Sequence, residues 1–277
     1  MEILHCSHSQ NNYGVAGEKL VHAATCKLFL ISILWLQSCT GGGASKVLSR
    51  TRIPPELVQP RGRYLKWGIL TLAVSVCVMI LTPFGYYFAA DFEYGFLRDK
   101  REFFFSSGYF IAFYTHIVGA PAAFLSGTLQ VSRTLRQNWP QLHRWLGRFY
   151  CLAVLTAAAP GGLVMGFWAY GGLSSQVCFS LLAGLTWIAT FLGWRFARIG
   201  QLKKHAKWVL RSYLLIASAI CLRLIHPLLS ELQLNHELTY QLAVWASWVL
   251  PLALFELVRW FSDRAKCRCA DAVVVSR

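Results

Sequence analysis

Residues 174–197 read SSQVCFSLLAGLTWIATFLGWRFA, with Arg195 as the only charge. About 20 predominantly apolar residues in α-helix cross the hydrocarbon core of a bilayer, so this stretch predicts a transmembrane helix. Five more stretches meet the same test, at about 65–90, 104–130, 145–169, 208–229 and 238–260. Composition agrees: 56% of the 277 residues are apolar and 14% charged, against roughly a quarter charged in soluble domains. The chain lacks the polar surface of a soluble enzyme, a disordered protein or a disulfide-stapled secreted module. Only closed backbone hydrogen bonding survives in lipid, and the reading is an all-α, polytopic transmembrane helical bundle of about six spans.

The net charge of +15 gains meaning from its placement. Lys and Arg mark cytoplasmic loops. Six lie between Lys46 and Lys66, ahead of the first span. Arg133, Arg136, Arg144 and Arg148 lie between the second and third, and Arg195, Arg198, Lys203, Lys204, Lys207 and Arg211 surround the fourth–fifth junction. Arg259, Arg264, Lys266 and Arg268 close the sixth. The intervening loops are neutral or acidic; 230–237 carries only Glu231 and Glu237. Both termini are therefore expected in the cytoplasm, with Trp67, Trp139, Trp145, Trp194, Trp208 and Trp260 as an inner aromatic belt. The basic loops would meet anionic lipid headgroups rather than nucleic acid.

Three regions follow: an extension and linker over 1–60, a six-helix transmembrane domain over 61–262 and a basic cytoplasmic tail over 263–277. The extension carries Lys27, the apolar run Leu28–Leu36 and then Cys39, similar to a lipoprotein signal. Nine apolar residues are too few to span, so a flexible extension or an early start site is the plainer alternative. No CxxC pair occurs among the nine cysteines.

Ionisable groups inside a span are costly and mark functional sites. They are His116 in the second span, Arg223 and His226 in the fifth and Glu256 in the sixth, with His143 and His205 just inside the basic boundary. On one straight helix His205 and Arg223 share an azimuth, and Ser212, Ile216 and Ala219 lie near it. That face is expected to point into the bundle. Arg223 would need Glu231, carbonyls freed near Pro227 or an anionic ligand. Glu256 is level with Arg211 and predicts an ion pair. Gly119, Ala123 and Gly127 recur every four residues, a stripe suited to close helix approach or to a planar cofactor beside His116.

Imidazole suits haem iron and first-row transition metals. The expected cofactor is haem b, with His116, His143, His205 and His226 as candidate ligands, and His116 and His226 as the candidate axial pair on iron. Arg223 or Arg144 would meet the propionates. His143 and His205 match better in depth, although hydrogen bonding to headgroups or loops would also account for them. There is no GxSxG, HExxH, P-loop or Rossmann glycine pattern, and no catalytic residue is assigned. A cofactor-free transporter or small-anion binder using the Arg223–His226 face, and a structural or assembly protein, remain open.

The stretch 105–228 resembles a family of bacterial membrane proteins known as domain of unknown function 2306. The resemblance rests on His116-Ile-Val-Gly119 with Gly127 and Gln130, on His143-Arg-Trp-Leu-Gly-Arg-Phe-Tyr150, on His205-Ala-Lys-Trp-Val-Leu-Arg-Ser-Tyr213 and on Arg223. It implies a helical bundle in the bacterial inner membrane with histidine and arginine at set places. A looser likeness to haem-b membrane cytochromes of the ascorbate-reducing type rests on several histidines in a small bundle.

Overall fold

The computed structural model describes residues 108–275 continuously, with side chains to Arg264, and scattered positions between Tyr87 and Phe105. The extension with Cys39, and nearly all of the first expected span, lie outside the described residues. From Tyr109 onward every regular element is helical. They are α1 (Tyr109–Val131), α2 (Arg133–Asn138), α3 (Pro140–Ala153), α4 (Ala159–Gly166), α5 (Gly172–Arg198), α6 (Leu202–Ile216), α7 (Ser218–Ser230) and α8 (His236–Val275).

Among the described residues, four helical runs are long and apolar enough to cross a membrane: Tyr109–Val131, Pro140–Gly166, Gly172–Arg198 and His236–Arg264. The bent pair α6 and α7 makes a fifth candidate span. Only 33–39% of the most apolar windows of the four runs is buried within the protein. The remainder is an apolar outer face that lipid would cover, including Leu152, Leu173, Trp145 and Ile188. α8 continues through the expected tail to Val275, because no Gly or Pro interrupts 252–275.

α3 and α4 form one run through a π-helical turn at Val154–Ala158. Pro160 follows one residue later, after Ala159. Its ring crowds the carbonyl four residues back and its nitrogen donates nothing, which accounts for the widened turn. The fifth span departs from the straight helix expected. It bends by 43° between α6 and α7, at Ala217 rather than at Pro227, which lies inside α7. His205 and Arg223 therefore do not share one continuous face.

α5 packs along α6, α7 along α8, and α1 against α3 and α4. The α5–α6 turn is three residues long and closes on Gly200 at φ 74°. Its amide and that of Gln201 donate back to Ala197 and Phe196, which caps α5. One core cluster joins Cys178, Ala189, Leu215, Val244 and Trp248 across α5, α6 and α8. A second joins Ala123, Tyr150, Val154 and Ala159. Buried hydroxyls bond to their own helix: Ser126 to the Ala123 carbonyl, Thr186 to Leu182 and Ser247 to Val244. That satisfies groups which hydrocarbon cannot.

Candidate functional site

The Gly119–Gly127 stripe of α1 lets helices approach. A Cβ on Gly119 would meet the Ala157 Cβ at 2.6 Å, and one on Gly127 would meet the Tyr213 ring at 2.7 Å and the Tyr150 ring at 3.0 Å. The flat surface is thus occupied by α3, its π turn and α6. Tyr213 adds a hydroxyl contact of 2.8 Å to Thr128 and stacks on Phe124 at 5.8 Å.

A hydroxyl chain ties the centre together. Tyr150 Oη lies 2.6 Å from Ser212 Oγ, which lies 2.6 Å from Thr190 Oγ1, which donates to the Thr186 carbonyl at 2.7 Å. The chain links α3, α6 and α5 and sets the register of α3 against α6. His143 precedes Tyr150 by seven residues, and His205 precedes Ser212 by seven. Seven residues are close to two helical turns, about 10 Å. α3 and α6 both start at the basic end, and each histidine lies close to the azimuth of a residue that meets its counterpart. Their rings are close enough for their charges to interact, and Arg136 acts on His143 as well.

Backbone contacts position both residues. The His205 Nδ1–H donates to the Gly193 carbonyl at 2.9 Å, which directs Nε2 away from that carbonyl. Gln130 of α1 donates to the His143 carbonyl at 2.9 Å. It reaches there across Gly147, where a Cβ would stand 2.9 Å from the amide nitrogen. The His143 Nδ1 is buried without a hydrogen-bond partner. The candidate site is therefore His143 and His205, with Arg136 on α2 and Arg144 exposed on α3.

The other expected residues fall elsewhere. His116 is held between α1 and α4, with Nδ1 donating to the Ala158 carbonyl at 2.7 Å. It lies against Gly162, where a Cβ would touch its ring at 3.0 Å. Arg223 is within electrostatic range of His116. Contrary to the inward face expected, Arg223 is exposed, because the 43° bend turns α7 away from the line of α6. Its Nη1 donates to the Ala219 carbonyl at 2.9 Å. His226 sits near the far end of α7 beside His236 and Tyr240, with ring centroids 6.1 and 6.0 Å away. The expected Arg211–Glu256 pair is present and bidentate, at 2.6 and 3.0 Å, with Arg211 also over the Trp208 ring.

Sequence reading missed His236, which stands first in α8. It also missed that Tyr150 and Ser212 fix the depth of His143 and His205. A signal was available: Trp145-x-x-Arg148 and Trp208-x-x-Arg211 each follow a histidine at the start of a helix. In both, the guanidinium lies over the tryptophan ring, at 5.0 and 4.7 Å. Among the described residues no three His, Cys, Asp or Glu side chains converge on a metal position.

A family model described as predicted membrane protein (DUF2306) matches residues 113–259. That range takes in the His143 and His205 helices, the Arg211–Glu256 pair and the first part of α8. No curated protein and no solved structure matches the chain.

Proposed function

The chain belongs to the DUF2306 family of predicted membrane proteins, and on that premise we propose that it is a haem-b-binding redox protein of the bacterial inner membrane. His143 and His205 are the ligands in this reading. The observation that carries it is that each histidine stands two helical turns before one partner of the Tyr150–Ser212 contact of 2.6 Å, on α3 and α6. A histidine whose Nδ1–H is fixed by a backbone carbonyl presents Nε2 in the state a metal needs, and His205 is held in that way by Gly193.

The donor set fits the group. Two imidazoles on separate helices suit haem iron, and Arg136 and Arg144 supply cations for two carboxylates. The Tyr150–Ser212 contact closes the gap between the helices about 10 Å further in, so the macrocycle would lie toward the loop ends. Haem, when bound, supplies one-electron transfer. The protein supplies ligands, charge and exclusion of water. In the same reading the basic loops face the cytoplasm, 65–90 is a sixth span and both termini are cytoplasmic, which places this site at the inner leaflet.

Protein purified from haem-replete cells should show a Soret band and a reduced-minus-oxidised spectrum. Both should vanish in His143→Ala and in His205→Ala. Colourless protein, or a spectrum untouched by either change, overturns the reading. A second reading, a small-anion site, is favoured by one observation: Arg223 lies within electrostatic range of the deeply set His116. It predicts a solute-dependent rise in melting temperature in colourless protein that Arg223→Ala removes.

A further inference from the structure

Away from the basic loops, at the end where α7 meets α8, four rings close a circuit. Tyr170 faces Tyr240 at 5.3 Å, Tyr240 faces His226 at 6.0 Å, His226 faces His236 at 6.1 Å and His236 faces Tyr170 at 5.8 Å. Every adjacent pair meets edge to face, at 74–78°. The rings come from three places in the fold: the α4–α5 turn, α7 and the first turn of α8. That first turn is fixed by Asn235, whose Oδ1 accepts the Glu237 amide at 3.0 Å, a side-chain cap. Gln233 at φ 53° turns the chain sharply enough to bring His236 back beside His226.

Two nitrogens in this circuit point to a ligand. His226 Nε2 is buried and has no hydrogen-bond partner. A buried polar nitrogen left unpaired is destabilising, and a bound group would offset that. His236 Nδ1 lies 3.3 Å from the Tyr170 hydroxyl, which orients the ring and leaves Nε2 for another bond. Imidazoles sharing one ion at metal–nitrogen distances of about 2.0–2.1 Å hold their ring centroids about 5 Å apart at a tetrahedral angle and about 6.4 Å apart when opposed across the ion. The observed separation of 6.1 Å lies in that range.

We propose that His226 and His236 form a second, separate site that takes a borderline divalent d-block ion, Zn2+ or Cu2+. Each histidine gives Nε2, and Tyr170 holds His236 from behind as an outer-shell partner. Nitrogen donors exclude calcium and magnesium, which demand oxygen. Glu237 is engaged by Gln241 at 3.3 Å, and no third His, Cys, Asp or Glu joins the pair among the described residues. Water therefore completes the shell. An ion held by two protein nitrogens keeps exchangeable positions, so this site loads and releases metal rather than stapling the fold. The proposal does not depend on haem at His143 and His205.

The test is electron paramagnetic resonance of the full-length protein in detergent with one equivalent of Cu2+. The wild type should show hyperfine splitting from two imidazole nitrogens. The His143→Ala/His205→Ala protein should retain it, which separates this site from the other. His236→Gln should lose the two-nitrogen pattern while the protein still melts cooperatively without metal, since His236 is exposed. Tyr170→Phe should weaken copper binding about 10–100-fold. A two-nitrogen pattern that survives in His226→Gln/His236→Gln assigns the copper to other histidines and overturns the site. So does a wild type without nitrogen-coordinated copper.

Discussion

Two pairs of histidines stand at opposite ends of one bundle, and they differ in what surrounds them rather than in their own chemistry. His143 and His205 come from helices that start in the basic loops, and Arg136 acts on His143 directly. His226 and His236 sit among tyrosines, beside a 230–237 connection whose only charged residues are Glu231 and Glu237. A field of fixed cations attracts an anionic ligand, and an acidic rim attracts a cation. Imidazole alone does not choose between haem and a bare metal ion; the neighbouring charges do. The largest effect expected is therefore a crossed loss. His143→Ala/His205→Ala should abolish haem absorbance and leave the copper signal. His226→Gln/His236→Gln should do the reverse, and absorbance and copper resonance on these two variants and the wild type decide it. Loss of both signals in either variant would make the two ends one site.

Much of the fold was legible because the spans are set by local quantities. Stretches such as 174–197 need only length and apolarity to be read as helices, and α5 spans Gly172–Arg198. The Arg211–Glu256 pair was legible for a similar reason, since depth along two antiparallel spans can be counted. The bend at Ala217 was not. Pro227 is the residue that a sequence marks as a kink, yet α7 runs through it to Ser230. That His143 lies within electrostatic range of His205 was also hidden, because it depends on the register of α3 against α6. Tyr150, Ser212 and Thr190 set that register through contacts between residues as far as 62 positions apart. His236 escaped attention since nothing local distinguishes a histidine in a loop from one that a hairpin folds against His226.

The next effect in size should strike both ends together. Gly119 lies where α1 meets the π turn, with the Ala157 Cβ 2.6 Å and the Ala158 nitrogen 3.1 Å from an added Cβ. Gly119→Leu forces the helices apart and should cost about 1–3 kcal/mol, read as a lower melting temperature in detergent, with haem and copper binding both weakened. Damage confined to one end would mean that the two halves of the bundle are not coupled through this contact.

A smaller and one-sided effect is expected from Tyr150→Phe. Ser212 keeps its contact with Thr190, so the loss is one hydrogen bond, about 0.5–1.5 kcal/mol. What changes is the tie between α3 and α6. Haem affinity should fall, since the depth match of His143 and His205 loosens, while copper binding at His226 and His236 stays as in the wild type. Unchanged haem affinity would show that the two histidines are aligned by something other than this hydroxyl.

The smallest effect should be a gain, at a glycine that does nothing for either pair. Gly184 lies in the middle of α5, and nothing stands within 4 Å of where its Cβ would be. Glycine inside a helix costs roughly 0.5–1 kcal/mol relative to alanine because its unfolded backbone is freer. Gly184→Ala should therefore raise the melting temperature slightly and leave both spectroscopic signals untouched. Gly119 and Gly184 are the same residue in two helices of the bundle with opposite expected signs, and only the surroundings distinguish them. If Gly184→Ala lowers stability, a second surface covers that face of α5 in the membrane, and the apolar belt there meets protein rather than lipid.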